Sequence, residues 1–497
     1  MLRKLRVGLA TLFFLLVTAL FLDFTGTVHV WFGWMAKVQF LPAVLALNFV
    51  VVALLVLLTL LFGRVYCSVI CPLGVMQDIF AWLGKKARKN RYTYSPAKSW
   101  LRYAVLVLFI LSLALGGGVL ARLIAPYSAY GRIAGSLLAP VWQWGNNALA
   151  YLAERADSYA FYETEVWLKS GLTLGVAVVT LLVLAVLAWR GGRTYCNTIC
   201  PVGTVLGFLS RFSWLRPVID TSKCIDCGLC AKNCKASCID LAGHSIDYSR
   251  CVACMDCIEK CRKGAISYAH KSSGCTSCKG ESPAQENVSG SRRAFLAGGA
   301  AFVASTALKA QKMKVDGGLA TIEDKVAPKR EKHIVPSGAL SARNFAQHCT
   351  ACQLCVSACP NGVLRPSSDL SRLMQPEMSY ERGYCRPECT KCADVCPAGA
   401  IRPITREEKS SVQIGHAVWI RKNCIPVRDG QACGNCERHC PTGAIQMVPL
   451  EEGGKKKLKI PVVNTERCIG CGACENLCPA RPFSAIYVEG HDSHRII

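Results

Sequence analysis

Cysteine dominates the chemistry open to this chain, contributing 31 of 497 residues, many in runs spaced C-x2-C-x2-C-x3-C. Three thiolates in one tight loop can cap three irons of a cluster, while the fourth reaches across to a neighbouring cluster. On that rule Cys224, Cys227, Cys230 and Cys261 form one 4Fe–4S set, and Cys251, Cys254, Cys257 and Cys234 the other. Zinc sites use one or two C-x2-C pairs rather than doubled runs of four. Lys235 and Arg262 stand where proline normally follows the fourth cysteine. Positive charge there would raise the reduction potential if it lies near the sulfurs. Cys238, Cys275 and Cys278 belong to neither set and have no assigned role.

Four further runs follow. The first is Cys349, Cys352, Cys355, Cys359, and the second Cys385, Cys389, Cys392, Cys396. The third is Cys424, Cys433, Cys436, Cys440, and the fourth Cys468, Cys471, Cys474, Cys478. Each ends in Cys-Pro, at Pro360, Pro397, Pro441 and Pro479. These 16 cysteines leave none over in this half, which argues against disulfides and for four more 4Fe–4S clusters, six in all. Neighbouring motifs pair one-with-two and three-with-four, or nest one-with-four and two-with-three; spacing leaves both open.

A shorter motif occurs twice. Residues 63–74, GRVYCSVICPLG, match residues 192–203, GRTYCNTICPVG, including both cysteines and the proline. Two such C-x3-C-P hooks suggest a duplicated unit. Cys67, Cys71, Cys196 and Cys200 could converge on one iron–sulfur centre at the membrane surface, a seventh, or act as free or reversibly oxidised thiols.

The elements that must position these cysteines are membrane helices and small ferredoxin folds. The chain is 52% apolar with positive mean hydropathy. Apolar runs at 7–22, 41–62, 103–120 and 172–189 predict four spans. Residues 23–39, with one lysine and several aromatics, suit an interface. The stretch 63–102 is rich in lysine and arginine and reads as cytoplasmic, whereas the loop before the fourth span carries Glu154, Asp157, Glu163 and Glu165 and suits the outer face. The net charge of +25 therefore reflects membrane topology rather than nucleic-acid binding.

Residues 291–310, SRRAFLAGGAAFVASTALKA, join a paired arginine to a small, apolar run, as in a twin-arginine export signal, but in mid-chain. Leu308-Lys309-Ala310 is a poor cleavage site, so this stretch is expected to remain as a fifth crossing. The twin-arginine machinery carries folded, cluster-loaded cargo. The expected layout is a four-helix transmembrane domain (1–215), a cytoplasmic two-cluster ferredoxin (216–290), the signal and span (291–310), a linker (311–343) and a periplasmic four-cluster polyferredoxin (344–497). The fold class is thus a multidomain membrane protein, an α-helical bundle carrying two α+β ferredoxin-like units, in a bacterial inner membrane.

The hooks and inner ferredoxin resemble NapH, and the arginine pair with four clusters resembles the NapG/MauM ferredoxins, here joined in one chain. That resemblance implies a quinol dehydrogenase, with the quinone pool as donor and a periplasmic reductase or electron carrier, nitrate reductase-like, as acceptor. Hooks with a cytoplasmic ferredoxin also occur in NosR- and CcoG-type proteins, which would imply metalloenzyme assembly or maintenance. A third reading drives electrons outward from a cytoplasmic ferredoxin. No quinol-site residue stands out. His29 lies near the outer interface, but a lone interfacial histidine is more often structural. The chain has no C-x-x-C-H haem motif and no dinucleotide fingerprint.

Overall fold

A computed structural model describes residues 2–88, 92–114, 118–158, 160–168, 170–270, 323–450 and 458–497. The paired-arginine stretch at 291–310, with Cys275 and Cys278, lies outside the described residues.

Among the described residues two helices are long and apolar enough to cross a membrane, Leu2–Leu22 and Gly171–Gly191. Two more apolar helices, Phe49–Phe62 and Ser99–Ala114, are shorter. All four turn large apolar side chains outward, among them Leu12, Leu15, Leu54, Leu57, Leu108, Leu111, Leu182 and Val186. The run expected as one span over 41–62 is instead two helices, Phe40–Leu45 and Phe49–Phe62. They are separated at Leu47, whose φ is +52°, and the second helix is started by the Asn48 side chain accepting from the Val51 amide. A left-handed residue followed by an asparagine cap ends one helix and begins another.

Segments between the expected spans also fold inward. Met35, Ala36 and Gln39 are buried, and Gln39 accepts a hydrogen bond from the Tyr66 hydroxyl in the first hook. The helix Pro126–Ile133, within the expected outer loop, is buried along its whole length. Its Arg132 guanidinium donates to the Arg122 and Leu123 carbonyls at 2.6 and 2.9 Å, giving buried charge a backbone partner.

Among the described residues the inner ferredoxin unit has two small antiparallel pairs, Leu215–Ile219 with Ile266–His270 and Ile239–Asp240 with Ser245–Ile246, and the C-terminal unit has three, of which the longest joins Val412–Trp419 to Ile486–Ile496. Part of the expected linker belongs to this unit. Ile334 and Val335 are buried, Arg330 pairs with Glu475 at 2.5 Å, and Lys325 donates to three carbonyls near Cys478. Chain order hid this strap, because its partners lie about 150 residues away.

Helix Leu2–Leu22, roughly 30 Å long by its rise per residue, is gripped at both ends. Near its start Arg3 pairs with Asp256 at 2.7 Å and Glu259 at 2.6 Å, both in the inner unit. Near its end Phe21 packs on Tyr127 and Tyr130, in the helix that meets the C-terminal unit. There the Ser128 hydroxyl donates to the Thr350 carbonyl at 2.6 Å. The two ferredoxin units therefore meet opposite ends of one helix.

Candidate metal centres

Each hook is built the same way. The second cysteine, Cys71 or Cys200, is extended and precedes a proline that opens a helix, Pro72–Arg88 or Pro201–Leu209. Proline imposes the extended residue before it and suits the first helical position after it. The Gly203 amide donates to the Cys200 sulfur at 3.3 Å, and the Gly74 amide faces Cys71 in the same way. Two helix N-termini thus aim their positive ends at sulfur.

The hooks then exchange arginines. Arg64 of the first donates to the Cys196 carbonyl at 3.2 Å and the Asn197 side chain at 2.8 Å. Arg193 of the second donates to the Cys67 carbonyl at 2.7 Å. Both arginines are fully buried. Gln77 adds a donor to the Cys196 sulfur at 3.2 Å. The crossings need glycine: a Cβ on Gly74 would lie 2.2 Å from the Cys67 carbonyl, and one on Gly203 2.3 Å from that of Cys196. All four hook cysteines are buried in one core and face one another electrostatically. Four thiols ringed by two guanidiniums and two helix N-termini suit a group of net negative charge such as a cysteine-bound iron–sulfur cluster.

This centre is buried among the helices. On one side the Tyr195 hydroxyl bonds the Ile124 carbonyl, two residues before the buried helix that carries Tyr127. On the other, the Arg193 amide donates to the Lys235 carbonyl and Arg64 to the Ser249 carbonyl, both in the inner unit. The arginines escaped sequence reading, although their matching places in the repeat were a signal.

In the inner unit Cys224, Cys227, Cys230 and Cys261 line one cavity. Cys227 is exposed, so this site opens to the surface. Cys234, Cys251, Cys254 and Cys257 line a second cavity, which Cys238 also reaches. Burial, with repulsion from Cys254, Cys251 and Cys234, pushes the Cys257 thiol well up. A metal at the centre relieves that, since coordination deprotonates a thiol outright. The Lys235 ammonium does face a cluster-set sulfur, that of Cys254, and it also pairs with Asp78 at 3.3 Å and Asp256 at 3.1 Å, which screen it and tie the unit to the bundle.

In the C-terminal unit the alternatives left by spacing resolve into neighbour pairing. Cys355 faces Cys352, Cys349 and Cys396; burial and these thiols push it well up. Cys359, Cys385, Cys389 and Cys392 line a cavity with Lys409, whose buried ammonium donates to the Cys385 sulfur at 3.3 Å. Cys468, Cys471 and Cys474 face one another and Cys440. Cys436 faces Cys433, Cys424 and Cys478; burial and these thiols push it up to about 12. The groups follow one another in space. Tyr127 faces Cys352 and Cys396, and the Cys385 amide donates to the Cys471 carbonyl at 2.9 Å. Backbone amides also bond the sulfurs, Ala444 to Cys440 at 3.2 Å and Ala485 to Cys478 at 3.3 Å.

His29 bonds Asp23 at 3.0 Å, and its other ring nitrogen is buried without a partner among the described residues. No cysteine group includes it.

A fold of paired four-cysteine sites on small two-stranded ribbons defines a ferredoxin-type iron–sulfur protein. Comparison with known proteins agrees. A model described as a 4Fe-4S binding domain matches residues 44–91 and 173–220, and one described as a 4Fe-4S dicluster domain matches 348–400 and 431–481. The chain is 33% identical over 191 residues to the methylamine utilization ferredoxin-type protein MauM of Paracoccus denitrificans, covering 36% of this chain and 77% of that one. It is 29% identical over 191 residues to the ferredoxin-type protein NapH of Haemophilus influenzae, covering 38% and 54%. With the ferredoxin-type protein MauN of Paracoccus denitrificans it shares 27% over 175 residues, covering 35% and 48%. The chain belongs to the MauM family of ferredoxin-type proteins, and it spans about half the length of its NapH and MauN relatives. No solved structure matches it.

Proposed function

We propose that this chain is a membrane-bound iron–sulfur conduit that takes electrons from quinol and delivers them to a periplasmic reductase or carrier. In this reading it joins a NapH-like unit and a NapG-like unit. The four apolar helices lie in the inner membrane, the inner ferredoxin is cytoplasmic, and the C-terminal unit is periplasmic, exported through the paired arginines at 292–293. The four-cysteine groups each hold one 4Fe–4S cluster, six in the ferredoxin units and a seventh at the hooks.

One observation carries the proposal: Cys67, Cys71, Cys196 and Cys200 share a single buried core with Cys254 of the inner unit and Cys352 and Cys355 of the outer unit. Each stretch matched by the 4Fe-4S binding model contains two cysteines, so a cluster there needs both hooks. Bound clusters supply one-electron transfer at potentials set by charge, hydrogen bonding and exposure. The protein's part is to fix the order of the sites, exclude water from the inner ones and place donors on the sulfurs.

The test is anaerobic purification of the full chain in detergent, followed by a menaquinol analogue, with visible bleaching and EPR against a dithionite standard. Reduction of a substantial fraction of the iron by quinol supports the proposal. Bleaching by dithionite alone removes its basis. A second reading draws on the exposed Cys227: the surface-opening inner site would take electrons from a cytoplasmic ferredoxin, for turnover or for maintenance of a metalloenzyme. In that case reduced ferredoxin bleaches the chain where quinol does not.

A further inference from the structure

The cavity shared by Cys234, Cys251, Cys254 and Cys257 is lined by five thiols rather than four. The fifth, Cys238, is almost completely buried, and its sulfur lies 3.5 Å from that of Cys234. It also makes a side-chain contact with Cys251.

The chain supplies its own controls. After the last cysteine of a motif the pattern is Cys-x-x-Gly, then a small apolar residue, then a larger one, which starts a strand at Ile266, Leu364 and Ile445. It occurs at 261–266, 359–364, 396–401 and 440–445. The glycines of these turns, Gly264, Gly362, Gly399 and Gly443, all have φ between +61° and +65°. The small residues that follow, Ala265, Val363, Ala400 and Ala444, are all buried. At 234–239 the turn has the same shape, with Ser237 at φ +50° in the glycine's place. The residue in the buried alanine's place is Cys238. Serine is not at ease at positive φ, yet the turn is kept, and it puts a second sulfur where every other turn has a methyl or isopropyl group.

We propose that Cys234 and Cys238 are alternative ligands to the same iron of this inner cluster. This rests on the reading that the cavity holds a 4Fe–4S cluster. The exchange breaks the iron bond to Cys234 and forms one to Cys238, and the Cys238 proton moves to the released Cys234 thiolate across the 3.5 Å gap. No electron is lost or gained. A site next to the hooks thereby tolerates the loss of one ligand.

The test uses the full chain purified anaerobically, with iron and acid-labile sulfide per chain and EPR of the dithionite-reduced protein. Cys234→Ala and Cys238→Ala are each expected to keep the full iron count, with Cys234→Ala showing a changed EPR signal. The double variant is expected to lose about four irons, as is the control Cys254→Ala. Signals from the remaining clusters report that each variant is folded. If Cys234→Ala loses as much iron as the double variant, Cys238 is a small apolar filler and the proposal fails. It fails too if Cys238→Ala alone loses the cluster, or if the double variant keeps it. Loss in Cys254→Ala, Cys234→Ala and the double variant alike would sink the exchange while leaving the cluster reading intact. Full iron in all four variants would remove the cluster reading itself.

Discussion

The inner and C-terminal ferredoxin units share a turn after the last cysteine and a C-x2-C-x3-C core in every motif but dock on the helices by different means. The inner unit is held by charge: Arg3 on Asp256 and Glu259, and Lys235 on Asp78 and Asp256. Its motifs end in Cys-Lys and Cys-Arg, and one site opens to the surface at Cys227. The C-terminal unit keeps its prolines and docks largely by shape, with Gly131 against the Cys352 carbonyl and Ser128 on the Thr350 carbonyl, plus one ion pair, Arg382 on Glu165 at 2.9 Å. The contrast shows that a lysine beside a cluster motif has no fixed meaning. Lys235 is paired with two carboxylates, whereas Lys409 reaches the Cys385 sulfur with no carboxylate on it among the described residues.

Removing the centre between the two units should have the largest effect. Cys67→Ala with Cys196→Ala is expected to lower iron by about four per chain and to abolish quinol-driven bleaching of the C-terminal clusters. Dithionite should still reduce them. Quinol reduction at the wild-type rate in that variant would show the hooks to be structural.

Next is the charged dock. Asp78 faces Arg6, Arg193 at 2.8 Å and Lys235 at 3.3 Å. Asp78→Asn strands buried cations, and removing one member of such a network costs about 3–5 kcal/mol. Thermal unfolding in detergent should show the inner unit released first. The shape-based dock should respond to volume instead. Gly131→Val would force a Cβ within 2.2 Å of the Cys352 carbonyl, an overpacking worth about 1–3 kcal/mol. Its effect should not depend on salt, whereas that of Asp78→Asn should.

A finer comparison sets the two lysines against each other by redox titration. Lys409→Met should lower the potential of the Cys359, Cys385, Cys389 and Cys392 site on the order of 50 mV, about 1 kcal/mol for one electron. Lys235→Met should shift its own neighbouring site less, because its charge is already paired. Equal shifts would mean that the carboxylates do not screen it.

The smallest effect concerns pH. Burial, helped by His491, pushes His494 down to about 4. Unfolded, it would titrate near 6.5, so between about 6.5 and 4 the unfolded chain binds more protons and stability falls as pH falls. Above 6.5 the contribution is complete. For this partly exposed ring about 1 kcal/mol is at stake. His494→Gln should flatten the pH dependence of unfolding in that window. An unchanged slope would place the sensitivity at His333, which burial and Arg372 also push down to about 4.

Much of the site was legible in the residues because cysteine spacing is a local rule: a tight loop either can or cannot cap three irons. The sets at 224–261 gather as the spacing predicts, and the C-terminal cysteines fall into four groups. Which motifs pair was not local and needed the packed fold. The hooks were visible as a repeat, but their arginines act on the opposite hook, more than 120 residues away, where no spacing rule reaches. The strap at 323–341 and the buried helix Pro126–Ile133 looked like linker and loop, since polar composition says nothing of which carbonyls will receive a buried lysine or arginine.

The sequence by itself determined the chemistry: thiolates at iron–sulfur spacing, apolar helices, and prolines and glycines at turns with few alternatives. Each of these follows from local sterics or ligand reach. Only the tertiary structure decided the arrangement. Burial and charge pairing act between residues far apart in the chain, and they put a four-thiol centre inside the bundle, paired one lysine with carboxylates and left another beside sulfur without one. They also brought a fifth thiol into a four-thiol site.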